Sequence, residues 1–225
     1  MTSAENGMGV IFDLDGVLVD TGWAHKQSWQ DLADMEGFHV SDEFFYSTFG
    51  MPNYRIIPML LGPDVADKEI QRISELKEQR YRELVARELH LAEGAESLLA
   101  NLRSDGFRLA VGSSAPRANL DLILVRLSLH EYLDTCVTNE DVRKGKPAPD
   151  TFLKAAEKMS LSPGRCAVVE DAVQGIEAGK AAGMPVVAVT TTRARQDLDK
   201  ADLIVDSLAE LKADDFAKLL TRPSA

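Results

Sequence analysis

The 225-residue sequence contains only two cysteines, Cys136 and Cys166, which excludes a disulfide framework and a cysteine-rich zinc site. It has no run of basic residues, and its net charge of −11 disfavours nucleic acid and anionic membrane surfaces as partners. No apolar run approaches the ~18 residues that a membrane span requires. Residues 1–10 lack the basic and apolar regions of a signal peptide. We therefore expect a cytoplasmic protein with no membrane or nucleic-acid partner.

The apolar runs that are present are short, and several end in polar or acidic residues. Buried parallel strands have this pattern where they open into a loop. The segments between them carry an apolar face at helical spacing. The predicted strands are residues 9–16, 108–113, 166–171, 185–190 and 202–205, and the predicted helices are 95–103, 116–127, 151–159, 173–182 and 208–220. This alternation predicts an α/β fold with a Rossmann-like parallel sheet flanked by helices.

Residues 21–93 show a different pattern, with several helical segments and no convincing strand. Between residues 70 and 85 the apolar residues fit one side of a helix and charged residues fill the other. Turn-forming segments at 50–53 and 61–64 interrupt the helical pattern. We interpret this region as an all-helical insertion, which leaves residues 1–20 and 94–225 as the sheet-containing core.

Acidic residues end two of the predicted strands: Asp13 and Asp15 stand at the end of the first, and Glu170 and Asp171 end the third. In open parallel sheets, ligands bind outside the carboxyl ends of the strands. Close carboxylates can divide into nucleophile and acid, or they can hold Mg²⁺. Alternatively, the first pair is a solvated strand end and Asp171 is the N-cap of the next helix. Four carboxylates at one edge would repel one another, so a divalent cation is the simplest resolution.

Two further segments carry groups that are suited to phosphate. Ser113 and Ser114 stand between a predicted strand and a predicted helix, where hydroxyls and backbone N–H groups bind phosphate oxygens well. Serine before proline is also an ordinary way to begin a helix. Lys146 lies in a segment with two prolines, at 147 and 149. It is either a lysine held in place for a ligand or a solvated loop lysine.

Four segments, in this order, resemble the motifs of the haloacid dehalogenase superfamily of phosphotransferases. They are residues 12–20 (FDLDGVLVD), 111–116 (VGSSAP), 144–150 (KGKPAPD) and 169–179 (VEDAVQGIEAG). The resemblance covers essentially the whole chain and is greatest to the branch with β-phosphoglucomutase and small sugar-phosphate phosphatases. It implies that the helical insertion at 21–93 is a cap domain, and that the protein is a monomeric enzyme acting on a small phosphorylated metabolite.

The resemblance also implies a role for each motif residue. Asp13 would attack phosphorus and form an aspartyl-phosphate, and Asp15 would act as general acid and then general base. Ser113 and Lys146 would neutralise charge on the phosphoryl group. The cofactor would be Mg²⁺, held by the carboxylate of Asp13, the backbone carbonyl of Asp15, Glu170 and Asp171.

Other residues are expected to bind the phosphate or the rest of the substrate. In the helical insertion, His25 and Trp29 occupy positions that resemble those of the mutase. Their alternative interpretation is a surface histidine and a core tryptophan. The predicted phosphate- and substrate-binding residues are Ser114, Arg117, His25, Trp29, Asn53 and Arg55.

The resemblance favours a phosphatase over a β-phosphoglucomutase-type phosphohexomutase. A mutase grips a second phosphate with an arginine three residues after a cap-loop glycine, where this sequence has Asn53, although Arg55 lies close by. Arg117 stands in a core loop that also departs from the mutase pattern.

Three other functions are disfavoured. A dehalogenase lacks the second aspartate, which here is Asp15. A phosphonate hydrolase would need a Schiff-base lysine, for which Lys26 is the candidate early in the cap, and it typically has alanine where Gly16 stands. A catalytically silent binding protein would usually have lost the nucleophile, whereas every motif residue is present.

Overall fold

The computed structural model describes residues 7–221, and its centre is a six-stranded parallel sheet. The order across the sheet is β3-β2-β1-β4-β5-β6, and each neighbouring pair is parallel. The strands are β1 (Gly9–Phe12), β2 (Arg108–Gly112), β3 (Thr135–Val137), β4 (Cys166–Glu170), β5 (Val186–Val189) and β6 (Leu203–Val205). The predicted α/β fold with a Rossmann-like parallel sheet is confirmed.

Helices connect the strands and also form the separate segment between β1 and β2. Those of the first segment are α1 (Gly22–Glu36), α2 (Asp42–Thr48), α3 (Asn53–Leu61) and α4 (Asp67–Val85). The remaining α-helices are α5 (Ala95–Ser104), α6 (Arg117–Arg126), α7 (Asp150–Lys158), α8 (Val173–Ala181) and α9 (Ala213–Thr221). None of the described helices has the length and apolar character needed to cross a membrane.

The central strands form because their side chains are apolar on both faces and are covered by helices on both sides. Every residue of β1 and β4 is buried. In the pairing, Phe12 lies opposite Val111 of β2 on one side and Val169 of β4 on the other. The loops that follow these three strands therefore leave the sheet at the same edge, as the sequence predicted.

Three elements differ from prediction. The first strand ends at Phe12 rather than at residue 16, because the chain enters a turn in which Gly16 has a φ of +85°. Strand β3 was not predicted, since it has three residues and only Val137 is fully buried. The closing helix does not begin at Leu208, because a 3-10 turn at Leu208–Glu210 precedes α9.

The chain forms two compact units. The first comprises the segment that ends at Asp20 and the segment that begins at His90, and it contains the sheet; the second, Thr21–Leu89, is entirely helical and is called the helical unit below. His90 belongs with the sheet because its carbonyl accepts from Asp20 N at 3.4 Å, and Ala92 N donates to Leu18 O at 2.9 Å. Of the segment examined for a signal peptide, residues 1–6 lie outside the described residues.

The helical unit has a hydrophobic core of its own. The amphipathic spacing predicted between residues 70 and 85 forms α4, whose buried Ile73 belongs to this core. The fully or nearly buried members of the core are Trp29, Leu32, Ala33, Val40, Phe45, Ile56, Ile57 and Ile73. Whether this unit acts as a cap remains a prediction.

Candidate active site

The acidic residues predicted at the ends of β1 and β4 lie together at the carboxyl edge of the sheet. Asp13 follows β1, Glu170 ends β4, and Asp171 comes next; their exposed fractions are 9%, 2% and 2%. The Lys146 ammonium joins two of them, because its Nζ donates to Asp13 Oδ1 at 2.5 Å and to Glu170 Oε1 at 2.7 Å. We refer to these four residues as the acidic cluster. The Lys146 side chain is therefore fixed by two carboxylates, and it is not a solvated loop lysine.

Glu170 is fixed from both of its carboxylate oxygens. While Oε1 accepts from Lys146, Oε2 accepts from the backbone N–H groups of Asp171 at 2.8 Å and Ala172 at 2.9 Å. On the first turn of α8, Gly175 packs so tightly against this carboxylate that a Cβ atom would overlap it. Glycine at this position thus allows helix α8 to approach the carboxylate.

The Asp171 carboxylate is held by residues from two other loops. Thr192 Oγ1 donates to Oδ2 at 2.5 Å, and a Cβ atom at Gly16 would overlap the same oxygen. Helix α8 begins at Val173, with Ala172 at its N-cap position and no capping side chain. The interpretation of Asp171 as a helix cap is therefore wrong.

Burial and repulsion among the carboxylates dominate the electrostatics of the acidic cluster. Burial raises the pKa of Asp13 to about 7; the Lys146 ammonium opposes this rise and the Glu170 charge adds to it. Burial also raises the pKa of Asp171 well above its ordinary value, with further repulsion from Glu170 and Asp13. Burial disfavours the charged form of Lys146, but attraction to Asp13 and Glu170 outweighs it and raises the pKa of the ammonium.

The donor set of the acidic cluster fits a hard divalent cation. Asp13, Glu170 and Asp171 each offer a carboxylate oxygen, and these oxygens all lie within 4.8 Å of one another. Oxygen donors of this kind suit Mg²⁺. The three carboxylates face a single ammonium, that of Lys146, so a bound cation would relieve the repulsion that raises the pKa values of Asp13 and Asp171.

Asp15 lies two residues beyond Asp13, on the turn after β1, and is half-buried. The turn is closed by a bridge between Asp15 and Val19 and by Gly16 N, which donates to Val19 O at 2.8 Å. The charge of Asp15 contributes to the raised pKa of Asp13, so the two carboxylates interact. Its predicted roles as acid and base, and through its carbonyl as a metal ligand, stay predictions.

Ser113 follows β2 at the same edge and is 2% exposed. Its backbone N–H donates to Val137 O at 3.0 Å, and its Oγ accepts from Ala115 N at 3.0 Å. Because the hydroxyl accepts from the backbone, its single proton remains suited to donation to an anion. Ser114 is half-buried beside it, and α6 begins three residues later at Arg117.

Arg117 binds carboxylates of its own unit. Its Nη2 donates to Asp141 Oδ2 at 2.6 Å, and its backbone N–H donates to Glu140 Oε1 at 2.8 Å. Asp141 also accepts from Lys158 Nζ at 3.1 Å. These contacts tie the start of α6 to the loop after β3, and the phosphate-binding role of Arg117 stays a prediction.

Two of the residues predicted to bind substrate contact a buried ion pair in the helical unit. Lys77 Nζ contacts His25 Nδ1 at 2.8 Å and Glu78 Oε1 at 2.9 Å, and Asn53 Nδ2 donates to Glu78 Oε1 at 2.8 Å. Lys77 and Glu78 are only 2% and 9% exposed. We refer to His25, Asn53, Lys77 and Glu78 as the helical-unit cluster.

Aromatic rings surround the Lys77 ammonium. Its Nζ lies 5.9 Å from the ring centroid of Trp29 and 5.3 Å from that of Tyr81, and Tyr81 stacks on His25 at 4.1 Å. Trp29 also belongs to the core of the helical unit, which agrees with its alternative interpretation as a core tryptophan. Arg55 is exposed, and its guanidinium lies 6.0 Å from the Tyr54 ring centroid.

Lys77, Glu78 and Thr192 were not among the predicted site residues. The first two are hidden in sequence because α4 is rich in charged residues, which normally indicate a solvated face. Thr192 ends a run of three threonines after β5, at the ligand-binding edge of the sheet. That placement was the available signal.

Comparison with known proteins identifies relatives over most of the chain. The family model of haloacid dehalogenase-like hydrolases matches residues 10–189. Fructose-1-phosphate phosphatase YqaB of Escherichia coli K12 is 33% identical over 189 residues, which are 82% of this chain and 97% of the relative. β-Phosphoglucomutase of Bacillus subtilis 168 is 32% identical over 209 residues, 90% of each chain. The crystal structure of β-phosphoglucomutase from Clostridium difficile has a TM-score of 0.86 and 28% identity, covering 95% of this chain and 97% of the other.

Proposed function

Because this chain belongs to the haloacid dehalogenase-like hydrolase family, we propose that it is a Mg²⁺-dependent phosphatase of a small phosphorylated metabolite, a sugar phosphate. The reaction passes through an aspartyl-phosphate on Asp13. The observation that carries this proposal is the acidic cluster, in which a buried carboxylate at the end of β1 is held by a buried ammonium. The phosphatase and mutase relatives support both family membership and a phosphoric ester as substrate.

Asp13 acts as the nucleophile. Lys146 binds Oδ1, which fixes the orientation of the carboxylate and directs the attack through Oδ2. The Asp13 carboxylate attacks phosphorus, the ester oxygen leaves, and the phosphoryl group is held as an acyl phosphate. Splitting one displacement into two steps lowers each barrier, and water then releases phosphate and restores the carboxylate.

Asp15 moves the protons. It protonates the leaving ester oxygen in the first step and removes a proton from the attacking water in the second, a contribution typically worth about 10²–10⁴-fold. Enzymes can accelerate phosphate-monoester hydrolysis by up to ~10²¹-fold, so most of the acceleration comes from positioning and charge neutralisation. Ser113, Ser114 and Lys146 supply donors and positive charge for this purpose.

The metal ligands in this proposal are Asp13, Glu170, Asp171 and the backbone carbonyl of Asp15. When bound, Mg²⁺ supplies the positive charge that lets an anionic carboxylate approach an anionic phosphate. The three carboxylates fit this role because they lie within reach of one ion.

Water is the proposed acceptor of the phosphoryl group, because the helical-unit cluster lacks an arginine suited to a second phosphate. Asn53 stands where the mutase resemblance calls for arginine, and its amide donates to the Glu78 carboxylate. The same carboxylate also accepts from Lys77, so both the Asn53 amide and the Lys77 ammonium are engaged within the cluster, although the exposed Arg55 keeps the mutase as the second candidate. The Bacillus subtilis relative is the observation that favours that second candidate.

Release of inorganic phosphate from p-nitrophenyl phosphate, with Mg²⁺ and with chelator, tests the enzyme against a silent binding protein. Fructose 1-phosphate and a panel of phosphorylated metabolites then define the substrate. For the acceptor, we expect β-glucose 1-phosphate, Mg²⁺ and a trace of its bisphosphate to yield phosphate and little glucose 6-phosphate. Rapid formation of glucose 6-phosphate with negligible free phosphate would show a mutase instead.

A further inference from the structure

The loop after β5 contains three consecutive threonines whose hydroxyls contact three different parts of the sheet-containing unit. Thr190 Oγ1 donates to Asp206 Oδ1 at 2.7 Å, Thr191 Oγ1 to Gly16 O at 2.5 Å, and Thr192 Oγ1 to Asp171 Oδ2 at 2.5 Å. Of the three, Thr192 contacts a member of the acidic cluster. The run therefore joins the β5 loop to the loops that follow β6, β1 and β4.

The Thr192 contact has the geometry of a hydrogen bond to a charged acceptor. Donor–acceptor distances of 2.5–2.7 Å are typical when a hydroxyl donates to a carboxylate. Thr192 Oγ1 also lies 3.1 Å from the backbone carbonyl of Asp171, but a hydroxyl has one proton, and the shorter contact is to the carboxylate. Within residues 7–221, no second side chain donates a hydrogen bond to the Asp171 carboxylate.

Steric packing confines the same oxygen. A Cβ atom at Gly16 would overlap Asp171 Oδ2 and would lie 3.0 Å from Thr192 Cγ2. The Asp171 carboxylate is thus held between the Gly16 backbone and the Thr192 side chain. Thr191 reinforces this arrangement by binding the Gly16 carbonyl from the same loop.

Carboxylates that bind metals are commonly oriented by hydrogen bonds from neighbouring groups, and loss of such a partner typically weakens metal binding about 10–100-fold. We propose that Thr192 is a positioning residue, whose hydroxyl engages Oδ2 of Asp171 and so orients this carboxylate to bind the divalent cation. This inference rests on the proposed function, since it assumes that the acidic cluster holds Mg²⁺.

The experiment is isothermal titration calorimetry of Mg²⁺ into the metal-free full-length protein and into Thr192 variants. Thr192→Val removes the hydroxyl and keeps the shape, so we expect the Mg²⁺ Kd to rise about 10–100-fold. Thr192→Ser keeps the hydroxyl and should restore Kd to about the unsubstituted value. Thr192→Ala also removes the hydroxyl but has a smaller side chain, so its Mg²⁺ Kd should match that of Thr192→Val. Agreement between the two variants would exclude a folding defect specific to valine.

Thr190→Val is the matched control, because it removes a threonine-to-aspartate hydrogen bond from the same loop without touching the acidic cluster. Its Kd should be unchanged. In turnover assays of Thr192→Val, the Mg²⁺ concentration for half-maximal rate should rise with Kd, and kcat at saturating Mg²⁺ should stay within about threefold. If Thr192 had only a structural role, the substitution would lower stability without raising the Mg²⁺ concentration for half-maximal rate while sparing kcat.

Two results overturn the inference and are distinguishable. If the unsubstituted protein binds no Mg²⁺, the metal-dependent proposed function fails and the role of Thr192 fails with it. If the unsubstituted protein binds Mg²⁺ and Thr192→Val binds it equally well, the role of Thr192 alone fails.

Discussion

The two units of the molecule each contain a buried polar cluster, and the two clusters differ in charge balance. In the helical-unit cluster, one ammonium (Lys77) meets one carboxylate (Glu78), and Asn53 adds a neutral hydrogen bond. In the acidic cluster there are three carboxylates and one ammonium, and Lys146 binds two of them, those of Asp13 and Glu170, while that of Asp171 accepts from Thr192.

This difference separates a cluster whose charges are balanced from one that has an excess of carboxylates. Buried charges are costly unless they are paired, and the helical-unit cluster satisfies that condition internally. The acidic cluster does not, as the raised pKa values of Asp13 and Asp171 show. Buried polarity alone therefore does not single out a candidate catalytic centre, and an excess of buried carboxylates at the carboxyl edge of a parallel sheet is the more informative signal.

The largest expected effect follows from Asp13→Asn. We expect kcat to fall by more than about 10⁴-fold, the scale that results when the nucleophile of a covalent mechanism is removed. Stability should be kept or increased, because the substitution removes one of three repelling carboxylates. Steady-state kinetics and thermal unfolding measure the two effects. The exposed Asp199→Asn is the control, and a normal rate in Asp13→Asn would contradict the nucleophile assignment.

Removal of the metal is expected to have the next largest effect. Excess chelator should abolish activity, Mg²⁺ should restore it, and Ca²⁺ should not, because its larger and looser coordination disturbs in-line geometry. Asp171→Ala should raise the Mg²⁺ concentration needed for half-maximal rate. The measurement is phosphate release across a Mg²⁺ titration, and full activity in chelator would contradict the proposed cation.

Replacing the buried lysine of each cluster by methionine tests whether the stability of that cluster depends on Mg²⁺. Lys77→Met leaves Glu78 without its ammonium and should cost about 3–5 kcal/mol of unfolding free energy, equally with and without Mg²⁺. Addition of Glu78→Gln to Lys77→Met should recover much of this loss. Lys146→Met should destabilise the protein strongly in chelator and much less with Mg²⁺, since a bound cation replaces the lost charge.

Urea denaturation of these variants, with chelator and with Mg²⁺, measures the free energies of unfolding. Two matched lysines, both buried and both hydrogen-bonded to carboxylates, make the comparison direct. Equal Mg²⁺ dependence in the Lys77 and Lys146 variants would remove the distinction between the two clusters.

The smallest effect concerns pH. Because burial raises the pKa of Asp13 from 3.8 to about 7, the folded state retains a proton that the unfolded chain releases in this range. The free energy of unfolding therefore falls as pH rises through it. In chelator, we expect Tm to be lower at pH 8 than at pH 5 by roughly 5 °C more in the unsubstituted protein than in Asp13→Asn. A parallel Tm profile in the two proteins would contradict the raised pKa.

Two helices of the sheet-containing unit were predicted to within one residue at each end. Predicted helix 116–127 is α6 at Arg117–Arg126, and predicted helix 95–103 is α5 at Ala95–Ser104. Strand β3 escaped prediction because its three residues carry too little apolar pattern to be distinguished from a loop. The start of α9 was misplaced because Ser207 and Glu210 form a capping box around a single 3-10 turn, which resembles a helix start in sequence.

The candidate site was predictable to the extent that backbone topology alone brings residues together. Asp13, Glu170 and Asp171 follow adjacent parallel strands, so the predicted sheet already placed them at one edge. The Lys146 contact with Asp13 spans 133 positions in sequence, and only its motif suggested it. Thr192 and Lys77 had no such motif, and neither was predicted.

The sequence by itself determined the parallel sheet, the helical insertion and the edge at which the acidic residues gather, because apolar periodicity and the residues that end each strand are local properties of the chain. Only the tertiary structure decided how each buried charge is satisfied. Lys77 and Glu78 are neighbours on α4, and whether they form a buried pair depends on the elements that pack over them. The contact of Thr192 with Asp171 joins two different loops. No local pattern encodes that packing, because it depends on where the folded backbone places each side chain.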